Sequence, residues 1–235
     1  MSTRTLALAT VFCGLVVVGL SVLFMSLGMR TVEPLHGAYG DQAILAFELA
    51  RTPEELAIVI GANPPTADAA IVRQTMDAAN RLDFLYMTSY GAFITFACAL
   101  VARSRGRRWL LLGVLLAPIA TLGDVGENLV LLQLTQPQSD WAALLPSLHF
   151  RTLIKWDFLA VVSALFALAF VQRGRILANV SAIAMAALAL ASGVLTAIDP
   201  SHYLALLSGL IAIVWIWQLA YAIRTMNSPL VKLAH

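Results

Sequence analysis

Six stretches of the chain are apolar over a length that crosses about 30 Å of hydrocarbon at ~1.5 Å per helical residue. They predict six transmembrane helices, near 5–28, 83–102, 109–134, 152–172, 177–198 and 203–223. The first apolar run, 6–27, is too long for the core of a secretion signal, and no small-x-small cleavage site closes it before Gly28-Met29-Arg30. It is expected to remain as a span. Thr10-Val11-Phe12-Cys13 places a bulky Phe where a lipoprotein signal needs a small residue, so no lipid anchor is expected.

Between the first two apolar runs the pattern changes. From Asp41 to Ala50, the residues Ile44, Leu45, Phe47, Leu49 and Ala50 make a broad apolar side among polar neighbours. Thr52-Pro53-Glu54-Glu55 then combines an N-cap Thr, a Pro at the first helical position and a Glu three residues after the cap. This capping box predicts a short helix over 53–60 that stops at Gly61. Asn63-Pro64-Pro65 breaks the chain, and from Thr66, with Asp68 in the first turn, neither Gly nor Pro appears until Gly91. One long helix, 67–102, is therefore expected to run from the extramembrane segment into the second span. The expected fold is an all-α integral membrane protein, a six-transmembrane-helix bundle with a small helical extracytoplasmic cap. Residues 1–28 form the first transmembrane helix, 29–82 the cap leading into span two, and 83–235 a five-helix transmembrane bundle.

Composition agrees with the pattern: 60% of the 235 residues are hydrophobic and 12% charged, with a mean hydropathy of +0.83. These values lie outside the range of soluble globular domains. The net charge of +2 is small, and the basic residues form no nucleic-acid footprint, so no nucleic-acid partner is expected. Charge sets topology instead. With the N-terminus inside, Arg4, Arg103, Arg105, Arg107, Arg108, Arg173, Arg175, Arg224 and Lys232 share one side, which carries no Asp or Glu. By the positive-inside rule, both termini are expected to be cytoplasmic in a plasma (inner) membrane. Cys13 and Cys98 fall in predicted spans and read as small apolar packing residues.

The costliest stretch to place is Gly123-Asp124-Val125-Gly126-Glu127-Asn128, inside the third span. Asp124, Glu127 and Asn128 share one helical face. A charge at such depth costs roughly 2.5–3.5 kcal/mol on insertion scales, so these groups belong toward a bundle interior or a wet cavity. Asp83, Tyr86 and Tyr90 share a face of the second span, and Lys155 and Trp156 lie near the outer end of the fourth. Chain direction and helical rise place all of them in the outer half. The expectation is an outward-facing polar pocket of spans two, three and four, with Asp83, Tyr86, Tyr90, Asp124, Glu127, Asn128, Lys155 and Trp156 as ligand-binding candidates. Lys155 is the expected counter-ion for Asp124 or Glu127. Pro118, in the middle of the same span, predicts a kink.

Several chemistries can be set beside that pocket. Asp124-x-x-Glu127 could begin a metal shell completed by His149 or His202, but the sequence has no Glu-x-x-His and no His-x-x-x-His, so neither metal nor cofactor is expected. A desolvated carboxylate at Asp124 or Glu127, with Lys155 beside it, could act as acid or base in a membrane-embedded lipid-modifying enzyme. No nucleophile with an adjacent base can be named. A through-pathway for transport finds only Thr95 and Gln218 in the inner half. The reading that asks least is binding of a lipid, amphiphile or partner helix, with membrane lipids as the surrounding partner and a structural subunit of a membrane complex as a further alternative. The small-residue series Ala178-Ala182-Ala186 and Ala189-Gly193-Ala197 in the fifth span suits close helix packing, within the chain or in a homo-oligomer, and internal packing is preferred. Spans two and four both open with basic-x-Asp-Phe-Leu (81–85 and 155–159) and end near Arg-Gly-Arg (105–107 and 173–175), which shared dipole and orientation rules explain without a duplication.

Overall fold

Long apolar stretches that satisfy their own backbone hydrogen bonds form helices, and in this computed structural model, which describes residues 1–27, 43–60, 67–136 and 139–228, every regular element is helical. In chain order these are α1 (Thr3–Ser26), α2 (Ala43–Glu48), α3 (Pro53–Ile60), α4 (Ala67–Ser104), α5 (Leu111–Leu134, preceded by a 3-10 turn at Arg108–Leu110), α6 (Trp141–Leu168), α7 (Ile176–Ile198) and α8 (Pro200–Met226). Among the described residues, five helices are long and apolar enough to cross a membrane: α1, α4, α5 with its leading turn, α7 and α8. Six were expected. The helix that departs is α6, which at 28 residues is long enough but carries Arg151, Lys155 and Asp157 within its apolar part.

The start of α6 also differs from the expected 152. The helix begins at Trp141, capped by the Asp140 carboxylate, which accepts from the Ala143 N–H at 3.1 Å. Its first residues, Trp141 to Leu145, are apolar, but Pro146, Ser147, His149 and Arg151 separate them from the apolar run that begins near 152. The Trp141 indole N–H donates to the Leu134 carbonyl at 3.0 Å and ties this start to the end of α5. Helix α4 is 38 residues long, about 57 Å at ~1.5 Å per residue, far more than one hydrocarbon core. Helix α5 continues unbroken through Pro118.

The packing places large apolar side chains outside and polar ones inside. Leu8, Phe12, Leu15 and Val22 of α1, Leu115 and Leu122 of α5, and Leu177, Val180 and Val194 of α7 are all exposed. Asp124, Glu127, Asn128, Thr152 and Lys155 are buried. One core joins α1, α4, α5, α6 and α8 around Met87, Phe93, Ile94 and Phe166. A second joins α2 and α3 to α4, α5 and α6 through Phe47, Leu56, Ile60, Met76, Leu131 and Leu148. The capping box closes α3: Thr52 Oγ1 accepts from the Glu55 N–H at 3.2 Å, and Glu55 Oε2 accepts from the Arg51 and Thr52 N–H groups at 2.7 and 3.4 Å. The expected stop at Gly61, the break at Asn63-Pro64-Pro65 and the cap at Thr66 lie outside the described residues.

The small-residue face of α7 is used internally. Ala182, Ala186, Ala189 and Gly193 are buried, and a Cβ on Gly193 would stand 3.0 Å from Ala160 of α6. Both Arg-Gly-Arg tripeptides turn at a left-handed glycine, with φ of 66° at Gly106 and 80° at Gly174. The loops they form are neighbours: Arg107 donates to the Val171 carbonyl at 2.7 Å, and Arg105 lies 4.5 Å over the Phe170 ring.

Candidate functional site

The site begins with the two glycines of α5. A Cβ on Gly123 would stand 2.8 Å from Ile154 Cγ2 and 3.1 Å from the Lys155 backbone nitrogen, and one on Gly126 would collide with the Arg151 guanidinium. Their hydrogen side chains let α6 approach closely, and this approach presents Lys155 to the acids of α5. Asp124, Glu127 and Asn128, on the same helical face, are all buried.

Lys155 stands among three carboxylates. Its ammonium lies 2.5 Å from Glu127 Oε2, 3.0 Å from Glu48 Oε2 and 3.3 Å from Asp124 Oδ1. The remaining oxygens are engaged in turn: the Tyr90 hydroxyl donates to Asp124 Oδ2 at 2.6 Å, and the Thr152 hydroxyl donates to Glu127 Oε1 at 2.6 Å. Burying such groups is costly, and the ion pairs with Lys155 and these hydroxyl hydrogen bonds offset part of that cost. Glu48, at the end of α2, brings the third acid from outside the long helices. Burial pushes its carboxyl above the usual carboxylate range, Lys155 pulls it down, and Asp124 adds to the rise.

Beside this cluster lies a cavity of about 400 Å³. Glu48, Asp83, Asp124 and Lys155 give it one polar side, while Phe24, Leu45, Leu159 and Ile211 give it an apolar one. Tyr86, Tyr90, Trp156 and Trp215 form aromatic walls between them. Tyr90 stacks on Trp215 at 5.4 Å between ring centroids, and Tyr86 meets both Tyr90 and Phe24 edge to face, at 5.7 and 5.5 Å. The combination suits a ligand with an apolar body and a polar end.

The residues named from sequence divide between lining and support. Asp83, Tyr86, Tyr90, Asp124, Lys155 and Trp156 line the cavity. Glu127 and Asn128 do not: Glu127 is fully buried behind Lys155, and Asn128 donates to Asp83 Oδ2 at 2.8 Å and to the Asn80 carbonyl at 3.1 Å. The wall is also wider than three spans, because α1, α2 and α8 contribute Phe24, Glu48 and Trp215. Of the residues the sequence argument missed, Asn80 was within reach, one turn before Asp83 on the same face. Glu48 and Trp215 were not, since nothing local distinguishes them from an ordinary surface acid and an ordinary interfacial aromatic. Among the described residues, neither His149 nor His202 completes a metal shell. His202 pairs with Asp199 at 2.7 Å on the exposed α7–α8 hairpin, and among the described residues no three His, Cys, Asp or Glu side chains are placed to hold an ion. Comparison of the chain with protein-family models, with curated proteins and with solved structures gives no match.

Proposed function

We propose that the chain is a multi-pass protein of the plasma membrane that holds a lipid or other amphiphile in the cavity between its long helices. It has six spans, both termini in the cytoplasm, and a helical cap over 29–82 on the outer face, so that the cavity faces outward. The observation that carries this reading is the lining: aromatic and aliphatic walls against a floor of Glu48, Asp83, Asp124 and Lys155. The exposed apolar faces of α1, α5, α7 and α8 support immersion in lipid. Helix α6 serves as the sixth span because its Lys155 is turned inward and paired. Orientation rests on the Arg-rich side that carries no acid. A lysine held by three carboxylates is a poor free base, which favours binding over turnover.

Native mass spectrometry of the full chain taken from its membrane tests the proposal. The wild type should retain an amphiphile, and Ala212→Trp, which fills the cavity from its α8 wall, should lose it. Conversion of labelled lipid that Asp124→Asn abolishes would favour the lipid-modifying enzyme instead. A copurified partner chain with no retained amphiphile would favour a structural subunit.

A further inference from the structure

We infer that the occupant is a cationic amphiphile, an alkyl chain ending in a primary ammonium with a hydroxyl on the neighbouring carbon. The inference rests on the amphiphile reading and adds the head group. Its first ground is charge. Glu48, Asp83 and Asp124 line the cavity and Glu127 lies directly behind them, against the single ammonium of Lys155. Lys155 is committed to Glu48, Asp124 and Glu127. Asp83 forms no ion pair among the described residues, and its only hydrogen bond there comes from the neutral Asn128 amide. Among the described residues, neither arginine near the cluster supplies the missing charge: Arg81 is exposed, and Arg151 is turned onto Gly126 and the Ser147 hydroxyl. A surplus of buried negative charge is costly, and a second cation beside Asp83 relieves it. Tyr86, Tyr90 and Trp215 line the same cavity with aromatic surface, which attracts an ammonium in preference to a neutral or anionic head.

The second ground is independent of the acids. Asn80 lines the cavity, is only 1% exposed, and its Nδ2 has no acceptor among the described residues. A buried amide donor left unmet is costly, and a ligand oxygen would meet it. Asn80 precedes Asp83 by one helical turn, so the two present a donor and a carboxylate side by side. An ammonium and a hydroxyl on adjacent carbons match that pair. A fatty acid would add to the negative charge, and a phosphate-bearing head would set anion against anion.

Binding of four ligands of equal chain length to the full chain in phosphatidylcholine nanodiscs, with empty nanodiscs as blank, decides the matter. These are 1-aminododecan-2-ol, dodecylamine, dodecan-1-ol and dodecanoate. The two amines should bind at least about tenfold more tightly than dodecanol, with dodecanoate weakest, as expected for pairing with a buried carboxylate. The hydroxyl should add a several-fold gain that Asn80→Leu removes, while Asp83→Asn, which can still accept from Asn128, should erase the preference for amines. Equal binding of dodecanol or dodecanoate would overturn the cationic head and leave the amphiphile reading standing. No binding of any of the four would overturn both. The wild-type series decides even if a variant fails to fold.

Discussion

Lys155 pairs with three carboxylates from two other helices, Glu48 of α2 and Asp124 and Glu127 of α5, which makes it the most consequential single side chain of the site. Removing it leaves those acids buried with no cation, a situation far worse than never having had the pair. Lys155→Met is therefore expected to cost about 3–5 kcal/mol, the usual penalty for stranding a buried charge. Thermal unfolding in a neutral detergent measures this, and adding Glu127→Gln to the same chain should recover part of the loss. A Lys155→Met protein that melts like the wild type would show that the acids need no counter-ion. The same residue shows where a linear reading works: an isolated lysine in an apolar helix, opposite acids in another, must find them.

Between elements, the decisive contact is α5 against α6, set by Gly123 and Gly126. Gly123→Ala should push Lys155 away from Asp124 and Glu127, because its new Cβ meets Ile154 and the Lys155 backbone rather than a flexible side-chain end. The expected loss is about 1–3 kcal/mol, the common cost of overpacking. Gly19→Ala in α1 is the matched control: no atom lies within 4 Å of its Cβ position, so it should be neutral or stabilise by up to ~1 kcal/mol through helix propensity. Equal melting of the two variants would remove close approach as the reason for the glycine pair. The paired basic-x-Asp-Phe-Leu openings are also resolved at this level, since Lys155 is buried in a charge cluster whereas Arg81 is exposed. Neither sequence stands at a helix start as expected, since 81–85 lies inside α4 and 155–159 inside α6, so a dipole at the helix N-terminus does not explain the likeness.

Over the whole molecule, the arginine-rich loops and the α2–α3 pair belong on opposite sides of the membrane if the proposed orientation is right. In a Cys13→Ala, Cys98→Ala background, Glu54→Cys on the exposed side of α3 should react with a membrane-impermeant maleimide in intact cells, and Asn227→Cys should react only after permeabilisation. The reverse pattern would invert the topology, and labelling of both sites in intact cells would contradict a spanning bundle with this arrangement. Helix α2 contributes chemistry from outside the long helices, because it delivers Glu48 to Lys155.

The order of apolar and polar residues was enough to determine the helices and the polar cluster of α5, because hydrophobic length, helical period and capping act over a few turns of one chain segment. The capping box at Thr52–Glu55 and the long helix entering the second apolar run were legible for that reason. The extent of α6 was less so, since the charges Arg151, Lys155 and Asp157 lower its apolarity and its start at Trp141 precedes the apolar run. That Lys155 meets the acids of α5 was legible, whereas the further partners were decided by tertiary structure alone. Glu48 lies 107 residues from Lys155 along the chain, and no local rule distinguishes it from a solvated acid. Likewise, Glu127 and Asn128 share Asp124's face, yet small rotations and the neighbours across the interface turn Asp124 to the cavity and commit the other two to holding Lys155 and Asp83. Period fixes a face, and only packing decides what that face meets.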